Sequence, residues 1–142
     1  MSIDIRTAGV ADHASLVLLL RQLDYAGTEV FIEDRIAQLL RHPDALLLVA
    51  EAEGTLLGVV SAHFIPQLAR AGDFCRISYL CVEEKARGLG LGAALLRRVE
   101  EEARGRGCDR IELHSAQRRT RAHQFYARQG YEESPKYLMK RL

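Results

Sequence analysis

A chain of 142 residues with 48% apolar and 27% charged side chains has the size and composition of one globular domain, neither disordered nor fibrous. Twenty basic against nineteen acidic residues leave a formal charge of +1, which gives no general attraction to nucleic acid or to an anionic membrane. No apolar run reaches the length of a bilayer span, the first residues lack a signal-like pattern, and the three cysteines show no Cys-x-x-Cys spacing. These features lead to the expectation of a cytoplasmic protein with no metal site, in which Cys75, Cys81 and Cys108 are buried core thiols.

Residues 3–6 read as a first strand. Asp12 then stands where it can cap a helix whose Leu16, Leu19, Leu20 and Leu23 recur at helical spacing. A second helix over 31–40 places Phe31, Ile32, Ile36, Leu39 and Leu40 on one face and must end before Pro43. Apolar runs at 45–51 and 56–65 flank Ala52-Glu53-Gly54-Thr55, an acidic-Gly turn between strand-like segments and hence a hairpin signal. A further strand covers 74–82. A long helix follows the next glycine-rich loop and runs to about Arg106, with Leu91, Leu95, Leu96, Val99 and Ala103 as its inward stripe. Gly105 and Gly107 end it. Residues 111–114 form a short strand, a helix around 121–128 stops at Gly130, and the tail from Tyr131 has room for two short strands or one bent one. The expected fold is mixed α/β in the order β-α-α-β-β-β-α-β-α-β, one domain over 1–142 around a single sheet.

The loop Arg87-Gly88-Leu89-Gly90-Leu91-Gly92 lies between a strand and a helix. Its glycines let the backbone approach a ligand closely, because no β-carbons intervene. Unbonded N–H groups in the helix's first turn and the positive end of its dipole form an anion site. Arg87 adds a permanent cation suited to phosphate oxygens, so a diphosphate is the natural guest. Gly88 to Ala93 also matches the dinucleotide pattern Gly-x-Gly-x-x-Gly/Ala. That fingerprint should follow directly on a strand, whereas residues 83–87 intervene here, and too little chain remains for a nucleotide-binding half-domain.

With Arg87, Gly90 and Gly92 the chain resembles the GNAT superfamily of acetyl-CoA-dependent N-acetyltransferases, whose cofactor motif is Arg/Gln-x-x-Gly-x-Gly/Ala. Leu80-Cys81-Val82 is similar to the end of the family's splayed strand, whose backbone pairs with the pantetheine arm. The stretch from Ala122 to Tyr131 is similar to the late signature Ala-x-x-Phe-Tyr-x-x-x-Gly-Phe, and element order agrees from end to end. The resemblance implies a central, mixed, mostly antiparallel sheet with a splayed strand pair and helices on both faces. It also implies acetyl-CoA as acyl donor, an amine acceptor, and no metal.

Residue by residue, the resemblance places acetyl-CoA against Leu80, Cys81, Val82, Arg87, Gly88, Leu89, Gly90, Leu91, Gly92, Ala93, Arg119, Phe125 and Arg128. A backbone N–H near Val82 would polarise the thioester carbonyl. Tyr126 stands at the family's general-acid position, beside the competing reading of a core aromatic. Ser78 occupies the place where relatives often carry a glutamate, which leaves Glu83 as the nearest carboxylate for a base, with His63, Tyr79 and His114 as groups able to relay a proton through water. Arg119 replaces a frequent asparagine and, with Arg118, Arg121 and Arg128, makes a basic run that also reads as a solvated helix face.

The acceptor would lie against the first two helices and the loops beside them, where Tyr25 and Tyr79 are candidate substrate contacts and Asp24 and Glu29 are loop acids. Function narrows to acetyl transfer onto a primary amine of a small molecule, peptide or protein, with a catalytically weak acyl-CoA-binding regulatory or sensing module as the alternative. Terminal strands that leave a pairing edge are compatible with a homodimer.

Overall fold

Two long apolar strands joined by a tight turn form the centre of the fold. They are β2 (Ala45–Ala52) and β3 (Thr55–Ile65), antiparallel, with Leu48 opposite Val60 and Val49 opposite Val59. Glu53 and Gly54 both take positive φ, 52° and 77°, the geometry of the two-residue turn whose twist matches paired strands. The computed structural model describes residues 2–115, 119–134 and 137–142. β1 (Asp4–Thr7) pairs with β2, and β4 (Phe74–Val82) pairs antiparallel with β3. β5 (Arg110–Leu113) completes a five-strand sheet in the order β1-β2-β3-β4-β5. The Asp109 N–H donates to Asp73 O at 2.9 Å, so β4 and β5 start at the same end and make the sheet's parallel pair. The chain forms two compact units, one up to Glu112 and one over Leu113–Leu142.

Alternation along β2 and β3 supplies both faces of the sheet. One face carries Leu47, Val49, Val59 and Cys81, which pack with Leu16, Leu19, Ile32 and Ile36 from α1 (His13–Arg21) and α2 (Ile32–Arg41). The other receives α3 (Leu91–Gly105), whose expected stripe of Leu91, Leu95, Leu96, Val99 and Ala103 is buried throughout. Gly58 of β3 permits this contact. A β-carbon there would stand 3.1 Å from Leu95 Cδ1 and 3.3 Å from Cys81 O.

Four expectations need correction. Asp12 does not cap α1. Its carboxylate instead accepts the Gly9 N–H at 2.7 Å and pairs with Arg6 at 2.9 Å, closing the 3₁₀ turn Val10–Asp12. Phe31 and Leu40 lie on the exposed side of α2, because Ile32, Ile36 and Leu39 already fill its narrow inward stripe. Cys108 is half-buried, unlike Cys75 and Cys81. Residues 131–134 and 137–142 hold no strand, and residues 135 and 136 of the expected tail strand lie outside the described residues. Glu132, Glu133 and Ser134 are poor strand formers, and a proline follows that has no N–H to donate.

Candidate active site

The glycine-rich loop takes the conformation its composition requires. Gly88 and Gly90 have φ of 87° and 81°, and a β-carbon at either would meet no atom within 4 Å. Glycine is therefore needed here for backbone conformation and not for room within the protein. Gly90 is the N-cap of α3, and Ala94 N–H to Gly90 O (3.0 Å) is the helix's first hydrogen bond. The N–H groups of Leu91, Gly92 and Ala93 thus belong to the unbonded first turn. Arg87 and Leu89 are exposed beside it, whereas the Leu91 side chain anchors the helix in the core.

Backbone polarity in β4 is fixed by its pairing with β3. Glu83 N–H donates to Leu57 O at 2.7 Å, one residue beyond the Val82–Gly58 pair. Alternation then turns the backbone groups of Cys81 toward β3 and those of Leu80 and Val82 away from it. The Cys81 thiol is buried and donates to Leu19 O at 3.2 Å. Leu80 and Val82 present outward N–H groups, and β5 is only four residues long against nine in β4. Glu83 closes the short 3₁₀ turn Glu84–Ala86. Its carboxylate accepts the Lys85 N–H and the Gln22 side-chain amide, so its orientation serves the turn.

The other candidates of this unit gather on the sheet face that carries α1 and α2. Tyr25 and Tyr79, 48% and 40% exposed, meet edge to face with ring centroids 5.4 Å apart. Tyr25 arrives there because α1 stops in a Schellman turn: Asp24 takes φ 69° and Tyr25 N–H donates to Leu20 O at 3.0 Å. On β4 the register slips after Tyr79. Tyr79 faces Ser61 and Ile77 faces Ala62, so Ser78 is an inserted, bulged residue. Ser78 Oγ lies 3.5 Å from His63 Nδ1. Burial, with His42 as a second cause, holds the His63 imidazole below its usual range.

The second unit holds α4 (Thr120–Arg128). Tyr126 is half-buried between the rings of Phe125 and Tyr131, with centroids 5.3 and 5.9 Å away. A second Schellman turn, with Gly130 at φ 90° and Tyr131 N–H on Tyr126 O, brings Tyr131 back onto the helix. Burial raises the Tyr126 phenol above its usual value against the opposing charge of Arg119, so it is protonated at neutral pH. Arg119 is the N-cap of α4 without a side-chain cap bond, and it and Arg128 are exposed. Arg118 lies outside the described residues. His114 stacks on Tyr137, with centroids 4.0 Å apart.

Residues 16–131 match the model of the Acetyltransferase (GNAT) family. The chain belongs to that family. Among GNAT relatives it is 35% identical to an aminoalkylphosphonate N-acetyltransferase of Salmonella typhimurium, over 82% of this chain and 73% of the relative. It is 38% identical to glucosamine 6-phosphate N-acetyltransferase 1 of Oryza sativa subsp. japonica, over 63% of this chain and 54% of the plant protein. A solved structure titled as a putative acetyltransferase from Agrobacterium tumefaciens superposes with a TM-score of 0.88 at 25% identity, covering 98% of this chain and 99% of the other. For this GNAT chain, the bulge at Ser78 was the feature without a sequence signal, since Ile-Ser-Tyr reads as unbroken strand. Tyr25 and Tyr79 are each candidates on sequence grounds, but their contact depends on the turn after α1.

Proposed function

We propose that this chain transfers the acetyl group of acetyl-CoA to a primary amine, and that both compact units serve one N-acetyltransferase domain. The observation that carries the reading is the loop before α3. Two glycines at positive φ, an unbonded helix turn and Arg87 together suit a diphosphate. Leu80 and Val82 suit the pantetheine arm through their outward backbone groups, and the Val82 N–H suits the carbonyl oxygen as negative charge develops on it. Phe125, Arg119 and Arg128 are proposed as further acetyl-CoA contacts.

Beyond polarising the thioester carbonyl, the chain must hold a neutral amine and protonate the departing thiolate. Tyr126 is assigned the last. A phenol raised by burial keeps its proton at neutral pH, and it gives it up to a thiolate only when held close to the sulfur. Tyr25 and Tyr79 are proposed to line the acceptor's path. Amines that carry a phosphorus oxyacid are the first acceptors to try, because the two named relatives are N-acetyltransferases of such compounds. The competing reading, an acyl-CoA-binding regulatory module with little turnover, is favoured by Ser78 standing where a carboxylate is frequent.

Tyr126→Phe separates these assignments. With acid catalysis by Tyr126, kcat falls about 100-fold or more while acetyl-CoA affinity, measured by calorimetry, stays the same. An unchanged kcat removes Tyr126 from the role and leaves the transferase intact. Acetyl-CoA binding without turnover on any amine supports the regulatory module.

A further inference from the structure

The transfer reaction requires an acceptor for the ammonium proton, and the carboxylate nearest the loop is engaged in capping its turn. The β4 bulge supplies a different group. In a regular strand Ser78 and Tyr79 would point to opposite faces. The insertion of Ser78 brings its hydroxyl to His63, on the face that also carries Tyr79 and Tyr25. Ser78 is exposed and hence reachable by a solute, whereas His63 is half-buried behind it on β3.

We propose that Ser78 and His63 act as a proton relay for the acceptor amine, a role that rests on the transferase reading above. The Ser78 hydroxyl takes one proton from R–NH3⁺ while its own hydrogen passes to His63 Nδ1. The products are R–NH2, an unchanged serine and an imidazolium, so charge is conserved. The amine lone pair is then free to attack the thioester carbonyl, and the imidazolium returns its proton to water. The 3.5 Å separation is long for a hydrogen bond, as catalytic contacts often are before substrate binds.

The surroundings favour a neutral ring. His42, in the α2–β2 connection, stands edge to face with His63 at 6.4 Å between centroids, and Arg76 of β4 is its cross-strand partner. On β2 the paired residue is Ala45, which carries no charge. Burial first, and then His42, holds the ring below the usual imidazole range, so at pH 7 it is neutral with a lone pair available. His42 Nδ1 accepts the Asp44 N–H at 3.1 Å, which keeps that second ring turned to its own loop.

The test compares His63→Gln and Ser78→Ala with the unmodified chain on an amine it acetylates. At pH 7 both lower kcat about 100-fold with acetyl-CoA affinity unchanged. The deficit shrinks as pH approaches the acceptor's own pKa, because the amine then arrives neutral. Adding Ser78→Glu to His63→Gln restores at least ten-fold, since a carboxylate at the bulge accepts the proton directly. A deficit equal at all pH values, or a Ser78→Ala variant as active as the unmodified chain, overturns the relay. Nitrogen-15 NMR of His63 provides a readout independent of turnover. A neutral ring protonated on Nε2 at pH 7, with an Nδ1 signal that moves in Ser78→Ala, supports the relay, and a ring protonated on Nδ1 refutes it. Silence of the unmodified chain on every amine counts against the transferase reading, and the ring signal then decides the dyad alone.

Discussion

Gly90→Ala separates what the loop does for the fold from what it does for the ligand. At φ 81° an alanine costs about 1–2 kcal/mol in backbone strain, partly offset because alanine loses less entropy on folding. No atom lies within 4 Å of the new β-carbon, so no clash adds to this. A net loss of about 1 kcal/mol lowers Tm by about 3 °C in a chain of this size. Acetyl-CoA affinity should fall further. If the strained turn relaxes, the N–H groups of Leu91, Gly92 and Ala93 no longer converge. One charge-assisted hydrogen bond lost is about 1.5–3 kcal/mol, or roughly 10- to 150-fold in Kd. Gly54→Ala is the control: its φ of 77° and open surroundings impose the same strain in the β2–β3 turn. Differential scanning calorimetry and acetyl-CoA titration on both variants decide the matter. Equal losses of affinity in the two would refute the assignment of the loop to phosphate binding.

Thr28 is 7% exposed and, among the described residues, its hydroxyl lacks a hydrogen-bond partner, so Thr28→Val should raise stability by about 1 kcal/mol in urea unfolding. Acid should destabilise the chain in two steps. His63 has a lowered folded value, so the unfolded chain binds its proton first, and stability falls as pH drops below about 6.5. Asp12, lowered chiefly by Arg6, adds a second loss as pH falls below about 4, and His63→Gln should remove only the upper step of a stability–pH curve. Burial pushes the Cys75 thiol up to about 12, with nearby Cys108 a smaller cause, so iodoacetamide should leave Cys75 unmodified in the native chain and label it in denaturant, as read by peptide mass spectrometry.

Sequence pattern was informative wherever one local rule acted alone. The inward stripe of α3 follows from helical period, and the β2–β3 hairpin from an acidic-Gly turn between apolar runs. The loop at Gly88 and Gly90 was readable because glycine at positive φ is a composition signal. Legibility ended where two local preferences competed. Asp12 suits an N-cap, but Arg6 and the Gly9 N–H claim its carboxylate first. Ser78 and His63 are 15 residues apart, and only the β3–β4 register with its bulge brings them together. Likewise the outward turn of Leu80 and Val82 depends on which of their neighbours bonds to β3, a property that side-chain pattern does not carry.

Release of free CoA thiol from acetyl-CoA in the presence of a panel of primary amines, including aminoalkylphosphonates and amino-sugar phosphates, is the decisive measurement for acetyl transfer by this chain. Thiol release is expected to depend on an added amine, to saturate with acetyl-CoA, and to weaken in Gly90→Ala but not in Gly54→Ala. A chain that neither binds acetyl-CoA in titration nor releases thiol with any amine would contradict it.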